Sequence, residues 1–430
     1  MSEQFLYYLW QNRLICGDLT LTDMRKVEIL YPGSRNSGAG PDFFNARIKI
    51  ERTEWAGNVE MHLRSSDWEL HKHHQDKNYD NVILHVVLED DQPVSYSNGE
   101  PIPTLVCQNN FDVDMLESYE RMIANRHFVP CAGAIAHCDD FVMMSWLENI
   151  AAERLIMRQK EIEKVLEYTQ NDWNRAYYVR LCRNFGFKVN AEPFELLETI
   201  LPLQVLLKNN ADIDDIEALV FGAAGFLEKN HNDEYPRQLR NNFLFFKRKY
   251  EINPMEAHLW KFMRVYPGNF PTIRLSQFAQ VAALNGIQFS NILGAKDIRE
   301  IKSYFRVSTT PYWETHYQFD KTSWKRDKKL GNESINLLLI NTILPFVFAY
   351  GRLREELSFC EKAIELFQQL PPENNYIIRK WKEIGVKAQN AMESQALLHL
   401  KEKYCNTKRC LQCRIGDYLL RVSPPNRSNL

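Results

Sequence analysis

The sequence predicts an α+β protein: an N-terminal α/β head on a mixed sheet, a large all-helical body, and a short cysteine-bearing tail. Three observations predict it. Residues 1–135 carry strand patterns, above all the continuous run Val-Ile-Leu-His-Val-Val-Leu at 82–88, which suits a central strand buried on both faces. Across 136–403 apolar residues recur at helical spacing. Residues 404–430 open with three closely spaced cysteines. A chain of 430 residues accommodates two or three such parts.

In the head, Pro32 to Pro41 is a glycine-rich loop that leads into the first strand. Residues 47–50 and 59–63 alternate polar with apolar, as half-exposed strands do. Trp55-Ala56-Gly57-Asn58 between them reads as a turn. In the body, Asp139 and Asp140 can cap a long helix bearing Trp146, Leu147, Ile150, Leu155, Ile162 and Val165. A second helix runs from Asp172 to Phe185 and stops at Gly186. Further helical patterns follow, the last of them unbroken over 376–403.

Composition excludes several classes. A formal net charge of -2 rules out a uniformly basic nucleic-acid glove, so phosphate binding needs a local patch. The N-terminal residues carry no basic, apolar leader pattern. The longest apolar run, 337–350, contains Asn341 and Pro345 and falls short of the roughly 20 residues that span a bilayer. A buried helix and no membrane partner are expected. Nine scattered cysteines argue for a reducing cytoplasm over a disulfide framework. There is no glycine-rich phosphate loop, nucleophile elbow or dinucleotide fingerprint. Oligomeric state is not encoded in any feature of the chain.

Chemistry concentrates between Gly40 and Val87. Asp42 opens one strand and Glu60 lies on the next, 18 residues on. A hairpin brings such residues within about 5 Å. Two carboxylates so placed share a hard cation, Mg²⁺ or Mn²⁺, which polarises a phosphoryl oxygen and lowers the pKa of bound water. Glu60, His62 and Arg64 fall on one strand face and Val59, Met61 and Leu63 on the other. That row offers a ligand, a proton carrier and a phosphate-binding cation in a groove open to solvent.

Pro41-Asp42 followed by Glu60-Met61-His62 resembles the Pro-Asp…(Asp/Glu)-X-Lys signature of the restriction-endonuclease-like nucleases. The resemblance implies a restriction-endonuclease-like sheet, with Asp42 and Glu60 as metal ligands and cleavage of nucleic-acid phosphodiesters. His62 stands where that family has lysine, a departure that puts activity in question. Gly-Pro-Asp-Phe (40–43), Gly-Asn-Val-Glu-Met-His (57–62), Ser-Ser-Asp-Trp (65–68), Asn-Val-Ile-Leu-His-Val-Val (81–87) and the cysteine tail also resemble, over nearly the whole chain, a bacterial family classed only as a domain of unknown function.

Five of the eleven histidines lie within 62–85. His71, Asp67 and Asp76 are expected to line the cleft of Glu60. His73 and His74 are either further ligands or solvated. His85, inside an apolar strand, is read as a hydrogen-bonded core residue, and Trp68 as core in preference to a base-stacking platform. Lys72 and Lys77 are candidates for the missing lysine. In the tail, Cys405, Cys410 and Cys413 form a C-x4-C-x2-C array suited to Zn²⁺ or an Fe–S cluster. The fourth ligand would be His399, Cys131, Cys138 or Cys360. The alternative is three reduced, packed thiols.

Basic stretches at 237–240, 247–249 and 324–329 offer backbone-binding surface or solvated faces. The leading expectation is a metal-dependent nuclease or related phosphodiesterase. The rivals are a nucleic-acid or protein adaptor with a decayed nuclease-like head, and a transition-metal hydrolase on His62, His71, His73 and Asp76.

Overall fold

A computed structural model describes residues 1–422. The chain forms two compact units: Met1–Trp146 together with a stretch beginning at Leu400, and Leu147–His399. The first holds a curled mixed sheet and the second is mostly helical.

In the first unit, helix α1 (Glu3–Gln11) precedes strands β1 (Val27–Tyr31), β2 (Ser34–Arg35), β3 (Phe43–Ile50) and β4 (Thr53–Arg64). A short helix α2 (Asp67–Leu70) and two 3₁₀ turns, His73–Gln75 and Lys77–Tyr79, lead to β5 (Val82–Glu89) and β6 (Thr104–Val106). Helix α3 (Val113–Ala124) follows. The sheet order is β1-β3-β4-β5-β6, with β2 pairing β3. β1, β3 and β4 are antiparallel, whereas β4, β5 and β6 are parallel. The run at 82–88 thus becomes β5, an interior strand paired on both edges, by β4 and β6.

The hairpin between β3 and β4 turns at Glu51-Arg52, not at Trp55–Asn58. Glu51 takes the left-handed conformation at φ 54°. Gly57 lies within β4 for a different reason: a Cβ there would stand 2.8 Å from the Asn81 carbonyl oxygen and closer still to Ile83. Such a close approach of a neighbouring backbone selects glycine in a strand. β3 bulges between Phe43 and Ala46, with Asn45 at φ 57°. Val59 and Met61 join the core beneath the sheet with Phe43, Leu84, Val86 and the α1 residues Phe5, Leu9 and Trp10. Burying each such side chain stabilises the unit by roughly 1.5–3 kcal/mol.

In the second unit the capping readings hold at particular residues. Asp172 Oδ1 accepts from Arg175 N–H at 3.0 Å, and the helix Trp173–Phe185 ends at Gly186. The pattern at 376–403 is not one helix: Tyr376–Glu383 ends before Gly385, at φ 94°, and Ala391–Leu400 begins anew. The unit also holds a two-stranded hairpin, His316–Gln318 with Lys321–Thr322, which the all-helical reading did not contain. Asn332–Leu353 is one helical stretch of 22 residues, apolar and long enough to cross a membrane, yet 72% of its apolar window is buried inside the protein.

Candidate metal centre

β4 presents Glu60 and His62 on one face, because side chains two apart share a face. The parallel register sets His85 of β5 beside Glu60. Phe43 pairs Val59 across the hairpin, so Asp42, one residue ahead of β3, meets Glu60. The two acids are clasped through the backbone. Asp42 N–H donates to Glu60 Oε2 at 3.0 Å, and Met61 N–H donates to Asp42 Oδ2 at 3.1 Å. Burial, and after it the Glu60 carboxylate, push the Asp42 carboxyl up to about 7, while a hydrogen bond with Tyr7 of α1 pulls the other way.

The crossover from β4 to β5 folds over this face. His71 ends α2, and Lys72 then turns left-handed at φ 62°. That reversal returns the next imidazole, so His71 and His73 both reach His62. His62 Nε2 is 3.1 Å from His71 Nδ1, and His62 Nδ1 is 2.8 Å from His85 Nε2. Glu60 Oε1 stands 3.3 Å from His73 Nε2 and 3.6 Å from His62 Nε2. Among the described residues, His62, His71 and His73 form the one group of three possible ligands lying mutually within 4.8 Å. Ligand bonds of about 2.0–2.1 Å in a tetrahedral site set donor atoms about 3.4 Å apart, so small rotations bring the trio to one ion.

His62 is held neutral: burial first, then His85, His73 and His71, push its pKa down to about 2. Burial and His73 likewise bring His85 down to about 3. Neutral imidazole is the ligand form. Aromatic walls fix the rings. His73 stacks on Tyr79 at 3.8 Å between centroids, and Trp68 meets His73 edgewise and His85 at a tilt, at 5.3 Å each. Trp68 is 1% exposed and is a core residue.

The groove is therefore not open as the sequence led us to expect: Glu60 is 5% exposed and His62 2%. The crossover covers both, and His71 is the ring that faces solvent. Other expected residues stand apart from the trio. Arg64 is exposed, its Nε 3.6 Å from Glu89 Oε2. Asp67 Oδ2 accepts from Arg64 N–H at 3.1 Å, and its charge falls on Glu3 of α1. Asp76 is exposed and caps the turn Lys77–Tyr79, accepting from Asn78 N–H at 2.9 Å. His74 bonds the Gln75 side chain. Sequence periodicity gives no signal that separates His73 from His74. The stack on Tyr79 makes the choice.

Of the tail cysteines, Cys410 and Cys413 are buried and Cys405 is partly so. Two of the proposed fourth ligands are engaged in the helical unit: His399 Nε2 lies 3.2 Å from Glu153 Oε1, and Cys360 Sγ contacts the Phe348 carbonyl. The basic stretches are also largely paired. Arg240 donates to the Leu227 carbonyl, Lys247 meets Glu228, and Lys328 is buried against the Glu314 carbonyl.

A family model described as Protein of unknown function (DUF2851) matches residues 3–376. No curated protein and no solved structure matches the chain.

Proposed function

The chain belongs to the DUF2851 family, whose description assigns no activity, and from its own residues we propose that the N-terminal unit is a transition-metal-dependent phosphodiesterase acting on nucleic acid. The observation that carries the metal is the trio His62, His71 and His73 within 4.8 Å, with Glu60 Oε1 beside it. Imidazole donors favour Zn²⁺, Fe²⁺ or Mn²⁺ over Mg²⁺. The phosphodiester assignment rests on the likeness of Asp42…Glu60-Met61-His62 to the nuclease signature.

Roles are thereby exchanged relative to that signature. His62 is a ligand, not a base: its Nδ1–H donates to His85 Nε2 when Nε2 faces an ion, so His85 fixes the tautomer. His62, His71 and His73 would hold the ion. A bound ion would supply Lewis acidity and a water of lowered pKa. Glu60 Oε1 is the acceptor placed to take a proton beside such an ion, and Asp42, bridged to Glu60 through its own N–H, holds the carboxylate in place. Arg35, whose guanidinium lies 4.3 Å over the Tyr7 ring, is the cation on the Asp42 side.

A second reading, a binding module whose metal only fastens the crossover, is favoured by the burial of Glu60 and His62.

The test titrates metal-stripped full-length chain with Mn²⁺, which the cysteines disfavour, and follows hydrolysis of a phosphodiester, bis(p-nitrophenyl) phosphate, and of single- and double-stranded DNA and RNA. One ion per chain is expected. His71→Ala and His73→Ala each weaken its binding by more than the 10- to 100-fold that loss of an outer-shell partner costs. Glu60→Gln keeps the ion and loses about 10²–10⁴-fold in turnover. Mn²⁺ binding that neither histidine variant alters defeats the metal assignment. Binding without any hydrolysis favours the module.

A further inference from the structure

The second cluster of metal-ligating residues in the N-terminal unit is made entirely of cysteines, and it is independent of the histidine centre. Two segments far apart in sequence meet there. One is the loop from Cys131 to Cys138 around the 3₁₀ turn Ile135–His137. The other is Cys405 to Cys413, followed at once by the helix Arg414–Val422. That helix packs on the turn Ile135–His137 and on α3. Arg414 Nη1 donates to Ser145 Oγ at 3.2 Å, and Tyr404 meets Trp146 edgewise at 5.5 Å. Tyr8 of α1 donates to Asp417 Oδ1 at 2.8 Å.

This packing gathers thiols. Cys131 lies within electrostatic reach of Cys410 and Cys413, and Cys405 within reach of Cys131, Cys410 and Cys413. Cys138 sits at the margin, beside Cys131 and Cys413. All are free thiols. Burial and their mutual repulsion as thiolates push Cys131 and Cys410 up to about 12 and raise Cys405 and Cys413 as well.

We infer that Cys131, Cys405, Cys410 and Cys413 hold an iron–sulfur cluster, which ties the segment beginning at Leu400 to the head. Spacing selects the cluster over zinc. A zinc site built from four cysteines draws its sulfurs to about 3.8 Å from one another. Among the described residues no three cysteine sulfurs stand mutually within even 4.8 Å, whereas a multi-iron core needs the wider frame. Charge agrees: four thiolates leave a cluster net negative, and Lys401 and Lys408 lie near Cys405 and Cys410. Access agrees too. A cleft of about 320 Å³ lined by Gln4, Arg35, Gln412, Cys413 and Arg414 reaches Cys413 from solvent.

The experiment isolates the full chain without oxygen and measures iron, acid-labile sulfide, zinc and absorbance near 400 nm, before and after anaerobic incubation with ferrous iron and sulfide. Equal iron and sulfide are expected, about two or four of each per chain. Cys131→Ser and Cys410→Ser each lose most of both, while Cys138→Ser and Cys107→Ser keep them. Wild-type chain that takes up no iron and sulfide under either condition overturns the inference, whatever the variants do. Stoichiometric zinc without sulfide, or a Cys131→Ser variant with undiminished iron, also overturns it.

Discussion

Glu60 in the N-terminal unit and Glu217 in the helical unit are both buried carboxylates, and their surroundings differ in kind. Glu217 is 0% exposed and saturated by hydroxyls. Ser276 donates to Oε1 at 2.5 Å, Thr310 donates to Oε2 at 3.0 Å, and Tyr235 donates to Oε2. None of these donors has further chemistry to offer, and the network closes on itself. Glu60 accepts one backbone N–H at Oε2 and turns Oε1 toward two imidazoles. One of those, His62, is held neutral by burial and its histidine neighbours. A buried acid among hydroxyl donors is a finished structural element. A buried acid turned toward imidazoles is the arrangement from which we propose a metal site.

The largest way to break this comparison is truncation. Glu217→Ala strands three buried hydroxyls and should destabilise the helical unit by about 3 kcal/mol or more. Glu60→Ala in metal-free chain should cost only about 1 kcal/mol, because it also relieves repulsion on Asp42. Urea melts in chelator check both values. Mn²⁺ at about 100 times its dissociation constant should then stabilise wild type by about 2.7 kcal/mol and a His62→Ala variant hardly at all. Equal costs for the two alanine variants would erase the distinction.

The pH dependence sharpens it. Burial outweighs the three hydroxyl donors and raises the Glu217 carboxyl from its ordinary value of 4.5 to about 7. The folded state thus holds this proton more tightly than the unfolded chain. Below about 4.5 both states are protonated and nothing is lost. Between about 4.5 and 7 the unfolded carboxyl ionises first, so stability falls as pH rises, and it levels off above about 7. The total is at most about 3 kcal/mol. Glu217→Gln should flatten that part of the curve. The difference between wild type and variant across this window isolates it from Asp42, which titrates in the same range.

What could be read in advance follows interaction range. The clasp of Asp42 and Glu60 was legible because a hairpin converts sequence spacing into proximity. The interior strand at 82–88 was legible because burial on both faces demands a continuous apolar run. The turn was misplaced because Glu51-Arg52 carries no turn residue, while Gly57 answers a steric demand from β5 that no local pattern reveals. Strands β1, β2 and β6 were too short to show a period. The trio needed the reversal at Lys72, a left-handed residue with nothing in its type to announce it. Cys131 was one of four candidates for a fourth ligand, and only contact with a segment at the far end of the chain separates it from the others, although the C-x4-C-x2-C array itself was plain.

The smallest effect concerns Asp76. Histidine and aspartate clustering made it a ligand candidate, but its Oδ1 accepts from Asn78 N–H and it caps the turn that carries Tyr79. Asp76→Ala removes a cap, worth about 1 kcal/mol of local stability. Mn²⁺ affinity should stay within about twofold, since Tyr79 remains packed by Trp68 and stacked on His73. A residue orienting a ligand would cost 10- to 100-fold, and a true ligand more. Isothermal titration of Asp76→Ala beside His73→Ala therefore separates the two sides of this crossover. If the aspartate variant weakens binding as much as the histidine variant, the ion sits further along the crossover than Glu60 and the proton-transfer role given to that carboxylate no longer follows.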